Sequence, residues 1–143
     1  MLANHVAANP PDETRFMEMI FPDLANHYGT LFGGNALSLM GKAAFIAATR
    51  HARRNVVMAT SEKIEFHEPI RVGELIELVA RVERVGRSSM TVAVEMIRED
   101  VVNGLRKSVV RGTFEMVAVN DSGRPVAIPR TTNSRQPGKE IVS

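Results

Sequence analysis

The run Ala25-Asn26-His27-Tyr28-Gly29-Thr30-Leu31-Phe32-Gly33-Gly34 is the part of this sequence densest in groups that could do chemistry. A long apolar stretch follows it, so Gly33-Gly34 stands where a helix begins. A glycine pair there leaves main-chain N–H groups unpaired, with no side chain in the way. The helix dipole adds partial positive charge at the same place. Such a place can stabilise the oxyanion formed when a nucleophile attacks an acyl carbonyl. The same spacing also suits a plain turn that feeds a helix, and on spacing alone that is the commoner use. His27, beside Asn26, has an ordinary pKa of about 6.5, which suits proton transfer. Glu62 is a second candidate base, although single strand carboxylates are usually solvated or salt-bridged. Gly86-Arg87-Ser88-Ser89 brings together a cation and two hydroxyls that suit a phosphate. It reads equally well as a hairpin turn with a polar start to the next strand. No group of His, Asp and Glu has metal-site spacing. Cysteine is absent, which removes disulfides and thiol chemistry.

These groups are positioned by elements that the pattern of apolar residues predicts. Arg15 to Phe21 reads as a short strand ended by Pro22, and Asp23 to Phe32 as a loop. The helix runs from Gly33-Gly34 to about Arg53. Ala36, Leu37, Leu39, Met40 and the run Ala43 to Ala48 make it apolar almost all round, so most of its surface must be buried. Arg50, His51, Arg53 and Arg54 complement the dipole at its C-terminal end. The period then changes to two. Val56 to Phe66, Glu74 to Val85, Ser88 to Arg98 and Arg106 to Val119 read as strands. Ile76, Leu78, Ala80 and Val82 share one face, as do Met90, Val92, Val94 and Met96. Glu62 is expected to share a face with Ile64 and Phe66, toward the helix. Pro69 to Gly73, Gly86-Arg87, Glu99 to Gly104 and Asp121-Ser122-Gly123 read as turns, which argues an antiparallel meander. Residues 1–13 read as a flexible arm, 14–129 as one domain, and 130–143 as a tail that is disordered or draped on a neighbour. One buried helix wrapped by about five antiparallel strands is an α+β hotdog arrangement. Its free sheet edges favour dimers or larger homo-oligomers.

Composition narrows the function. The chain has 143 residues, 44% of them hydrophobic and 24% charged, the profile of one globular domain. A formal charge of +2, a single tyrosine and no tryptophan give no nucleic-acid signature. The longest apolar stretch is far below the roughly 20 residues that span a bilayer. The first residues lack a basic region followed by an apolar one, so no signal peptide and a cytoplasmic location are expected. The mild basic surplus suits an anionic small ligand.

Asn26-x-x-Gly29-x-x-Phe32-Gly33-Gly34 resembles the helix-opening motif of hotdog acyl-CoA thioesterases. The likeness is both to small bacterial broad-range enzymes and to the domains of the cytosolic long-chain acyl-CoA hydrolase. It continues through Leu39-Met40, Ala48-Thr49-Arg50-His51, Asn55-Val56-Val57 and Ile64-Glu65-Phe66-His67. Pro69-Ile70-x-Val72-Gly73-Glu74, Val85 to Ser89 and Phe114 to Pro129 extend it over roughly Phe16 to Pro129. Several motifs in the right order are more specific than any one alone.

The resemblance implies hydrolysis of acyl-CoA to free acid and CoA, with CoA entering as part of the substrate and no separate cofactor. It implies that Asn26 is the loop asparagine of the family and that Gly33-Gly34 supply the oxyanion donors. Arg87, Ser88, Ser89 and Arg124 would then contact CoA, with His27 and Phe32 near the substrate. His51 and His67 match positions that are not catalytic. The family also carries an acid on the central helix just after the Leu-Met pair, as general base or nucleophile. This chain has Gly41-Lys42 there. Gly41 lies seven residues after Gly34, two turns along the same face. Three readings follow: a thioesterase with its base at Glu62 or His27, a protein that binds acyl-CoA without hydrolysing it, and a hotdog hydratase or dehydratase. The last needs a positioned His with an acidic partner, and no such pair stands in a recognised motif.

Overall fold

The computed structural model describes residues 13–129. The expected arm, apart from Glu13, and the expected tail lie outside the described residues. The elements are β1 (Glu13–Met19), a single 3-10 turn (Pro22–Leu24), α1 (Gly33–Ala52), β2 (Asn55–Phe66), β3 (Leu75–Val85), β4 (Ser89–Glu99) and β5 (Arg106–Val119). One strand, one long helix and four strands follow in the order read from sequence. The first strand stops at Met19 rather than Phe21. The Ile20 N–H already donates to the Glu74 carbonyl, and Phe21 caps the 3-10 turn.

α1 packs on all five strands of one antiparallel sheet. Its buried face is Ala36, Met40, Ala43, Ala44, Ala47, Ala48 and Ala52. Alanine combines high helix propensity with a small side chain, so the helix axis can approach the sheet closely. The sheet answers with Ile76, Leu78 and Ala80 from β3, Met90, Val92, Val94 and Met96 from β4, and Val110, Phe114 and Met116 from β5. These are the alternating faces expected from period two.

The sheet order is β1-β3-β4-β5-β2. Only β3, β4 and β5 form a meander, so the expectation of hairpin neighbours throughout fails at β2. That strand crosses to the far edge and pairs with β5, while β1 takes the place beside β3. The link from His67 to Glu74 is long enough for the crossing. Eight residues reach about 26 Å at roughly 3.3 Å each, against about 14 Å for three strand spacings. Nor is the link a free turn. The Ile70 carbonyl accepts from Leu31 N–H, and Arg71 bridges to Thr30, which ties it to the loop before α1.

β2 also departs from simple alternation. From Glu62 to Glu65 it advances three residues while β5 advances two, from Thr113 to Arg111. The extra residue is a bulge, with Lys63 in the left-handed region at φ 54°. Glu62 is therefore not on a common face with Ile64 and Phe66 directed at the helix. Its side chain is exposed, whereas Ile64 turns in and packs over Gly112.

Candidate active site

The loop before α1 is organised by Asn26. Its Oδ1 accepts hydrogen bonds from Tyr28 N–H (3.0 Å), Thr30 N–H (3.2 Å) and Thr30 Oγ1 (3.2 Å). Main-chain N–H groups can only donate, so the oxygen must be the atom that faces them. The Nδ2H2 group is left pointing away from the loop's own backbone, and no partner for it occurs among the described residues. The sequence marks Asn26, and the loop orients it as a donor. Gly29, at φ +82°, closes the turn by donating to the Asn26 carbonyl. His27 and Tyr28 stack with centroids 4.0 Å apart on the exposed side.

The loop is clamped to the start of α1. Phe32 N–H and Asn35 Nδ2 both donate to the Leu24 carbonyl, at 3.0 Å each. Asn35 is a positioning residue that sequence reading missed, because its partner is a main-chain oxygen eleven positions away. The helix starts without a side-chain cap and with no acid in its first turn. The first intrahelical bond runs from Ala36 N–H to the Phe32 carbonyl, so the N–H groups of Gly33, Gly34 and Asn35 are the unpaired donors. A Cβ on Gly33 would meet nothing, whereas one on Gly34 would stand 2.7 Å from the Phe32 ring. Phe32 thus lies over the second glycine and leaves the first open.

A cavity of about 270 Å³ adjoins this helix start, lined by Leu31, Ala36, Phe66, Pro69, Ile70 and Val110 with His67 and Glu68. It suits an apolar chain carried on a carbonyl. Glu68 is not a free base there. A hydrogen bond from Lys107, joined by Arg98 at 3.0 Å, holds its carboxyl below the usual range.

The expected CoA contacts lie elsewhere. Gly86 to Ser89 forms the β3–β4 turn, with Gly86 N–H donating to the Ser89 carbonyl. The Ser88 carbonyl accepts from Ala118 N–H, and the Arg87 carbonyl from Ile128 N–H. Arg124 follows the Asn120 turn, where Asn120 Oδ1 accepts from Ser122 and Arg124 N–H. These residues adjoin the C-terminal end of α1. A cleft of about 810 Å³ there is lined by Thr49, Arg53, Arg54, Asn55, Val119, Asn120, Asp121, Val126 and Ala127. Arg53, Arg54, Arg87 and Arg124 make no ion pair with another described residue. Arg53 and Arg54 had been read only as dipole complements, and the fold adds them to the cationic group.

One chain therefore holds two half-sites. Asn26, His27, Phe32, Gly33 and Gly34 gather at one end of α1, and Arg87, Ser88, Ser89 and Arg124 at the other. A helix of 20 residues separates them by about 30 Å at roughly 1.5 Å per residue. Glu62 joins neither group. It stands exposed on the bulge of β2.

A single helix embraced by a five-stranded sheet, with uncapped glycines at its start and a donor amide beside them, defines a hotdog domain suited to acyl carbonyls. Residues 28–104 match the family model of the Thioesterase superfamily, and the chain belongs to that family. It is 36% identical over 126 residues to the uncharacterised acyl-CoA thioester hydrolase YkhA of Bacillus subtilis, covering 82% of this chain and 73% of that one. Among solved structures it resembles the acyl-CoA hydrolase of Staphylococcus aureus in complex with butyryl-CoA and CoA. The TM-score is 0.78 and the identity 32%, over 82% of this chain and 71% of that one. It also resembles an acyl-CoA hydrolase of Agrobacterium tumefaciens, with TM-score 0.77 and 44% identity, over 86% of this chain but 48% of that one. The S. aureus protein has been solved in forms with one residue changed to alanine. The changed residues are an Asn, an Asp fifteen positions later, and a Thr seventeen positions beyond the Asp.

Proposed function

We propose that this protein hydrolyses acyl-CoA thioesters to the free acid and CoA, within an assembly of several copies. The observation that carries the reading is the Asn26 amide, turned by its own loop into a donor beside the unpaired N–H groups of Gly33 and Gly34. Water adds to the thioester carbonyl, and these donors and the helix dipole stabilise the resulting oxyanion. The carbonyl reforms as the carbon–sulfur bond breaks. The proton given up by water returns to the CoA thiolate, leaving a carboxylic acid and a thiol. The apolar cavity beside Ala36 takes the acyl chain, and the cationic end takes the CoA phosphates. Of the three readings open from sequence, hydrolysis is the one that the named relatives share.

The two half-sites support an oligomer. β2 is a sheet edge that starts at the cationic end, at Asn55, and finishes at Phe66 beside the glycine end. A copy paired antiparallel along that edge brings its Arg87 turn toward this chain's Gly33. Related acyl-CoA thioesterases are hexameric. A cytoplasmic location is supported by likeness to the cytosolic acyl coenzyme A thioester hydrolase of rat, at 28% identity over 82% of this chain.

The test is thiol release from a panel of saturated acyl-CoAs of increasing chain length. The purified protein turns over above the uncatalysed rate, and Asn26→Ala loses that turnover. Absence of thiol release at every chain length, with CoA still bound, would refute hydrolysis.

A further inference from the structure

Hydrolysis needs a group that takes a proton from the attacking water, and this inference rests on that reading of the site. Stepping fifteen and then seventeen positions from Asn26, as in the S. aureus protein, arrives at Gly41 and Met58. The two positions are neighbours here, since a Cβ on Gly41 would stand 3.1 Å from the Met58 methyl. An acid and a hydroxyl are thus both missing from one place, where a hydrogen and a thioether stand instead. The nearby carboxylates do not replace the acid. Glu68 is held by Lys107 and Arg98, and Glu62 stands exposed on the bulge.

Position 41 does not look into its own chain. It lies on the helix face that carries Leu37 and Phe45, which are 41% and 47% exposed, beside Met58 at 44%. This apolar strip borders β2, whose outer main-chain groups have no strand partner. A strip and an open edge together are where another sheet continues this one. Gly41 is also near the middle of α1, so two such helices packed antiparallel across the seam bring their positions 41 near the shared axis. A side chain at that position projects off its own surface and into the seam.

We propose that the partner completing this site is a second, non-identical domain of the same fold, whose central helix carries Asp or Glu at its equivalent of Gly41. Further copies of this chain bring Gly41 again and cannot supply the acid. The A. tumefaciens relative leaves about half of its length beyond the part this chain covers, room for a second domain of this size. This chain then contributes the donors, Asn26, Gly33 and Gly34, and its partner contributes the base. Alone it turns over slowly, by polarising the carbonyl without a base.

A surrogate partner tests this. The variant Asn26→Ala/Gly41→Asp/Met58→Thr carries the acid without the amide, and the natural chain carries the amide without the acid. Co-expressed with different tags, the mixed assembly holds sites with both, and neither homo-assembly does. We expect the mixed assembly to release thiol from acyl-CoA about 100-fold faster or more than either, the low end of general-base catalysis. Asn at position 41 in the same surrogate, with equal shape and no carboxylate, should give no gain. An equal gain from it would overturn the proposal. If the mixed assembly stays slow while Gly41→Asp/Met58→Thr alone is fast, the acid serves its own chain and the shared site is overturned. If the natural chain is already as fast, or loses its turnover with Glu62→Gln, the base lies in this chain, and hydrolysis stands without the partner. If no assembly hydrolyses acyl-CoA though all bind CoA, the hydrolase reading falls as well. Should the triple variant not fold, Asn26→Ala/Gly41→Glu with Met58 retained repeats the test.

Discussion

Asn26→Asp separates what Asn26 does for the loop from what it does for the substrate. The three hydrogen bonds to Asn26 all end on Oδ1. Aspartate keeps that oxygen in place and accepts the same bonds, so the loop stays folded, with little change in stability. What it loses is the Nδ2H2 group, and it adds negative charge where the oxyanion has to form. Removing one donor of this kind typically lowers kcat 10²–10³-fold, and the added charge deepens the loss. Asn26→Ala removes both functions. Each bond in this half-buried loop contributes about 0.5–1.5 kcal/mol net, and water replaces part of it. A loss of about 1–2 kcal/mol, or roughly 3–8 °C in Tm, is expected. Thiol release gives the activity and circular dichroism the unfolding temperature. The expected pattern is Asp stable and inactive, Ala destabilised and inactive. An Asn26→Asp protein that hydrolyses at the natural rate would show that the amide donor plays no part in catalysis.

Gly112→Ala should destabilise the fold by about 1–3 kcal/mol through overpacking, because its Cβ would stand 2.1 Å from Ile64 Cδ1 and 3.3 Å from Ile64 Cα. Adding Ile64→Val removes the closest atom, so chemical denaturation should show partial recovery. Arg53 ends α1 in the left-handed region at φ 53°, which costs a non-glycine residue roughly 1–2 kcal/mol. Arg53→Gly should therefore raise Tm by a few degrees while weakening CoA binding at the cationic cleft, and a lower Tm would contradict the strain argument. The Lys107 hydrogen bond lowers the pKa of Glu68. Its stabilisation is thus complete above the unfolded value of about 4.3 and fades as pH falls through the lower folded value. Denaturation from pH 6 to 3 should show the advantage of the natural chain over Glu68→Gln shrinking only at the acid end.

Periodicity alone placed the helix within a residue or so and gave the inward faces of β3 and β4, because each rests on the spacing of apolar residues along one element. The glycine pair opening the helix was legible for the same reason. It is a local feature with a local consequence. What depends on distant partners was not legible. The position of β2 beside β5 turns on a link that reaches across three strands and is held by Leu31 and Thr30. Glu62 left its expected face because one extra residue enters β2 at Lys63, and no residue type there announces a bulge. The direction of the Asn26 amide depends on which main-chain groups the folded loop offers it. The separation of the glycine end from the arginine end by the length of α1 is likewise a property of the sheet. Strand order decides which ends of which elements meet, and it is set by pairing energies summed over the whole chain rather than by any one segment.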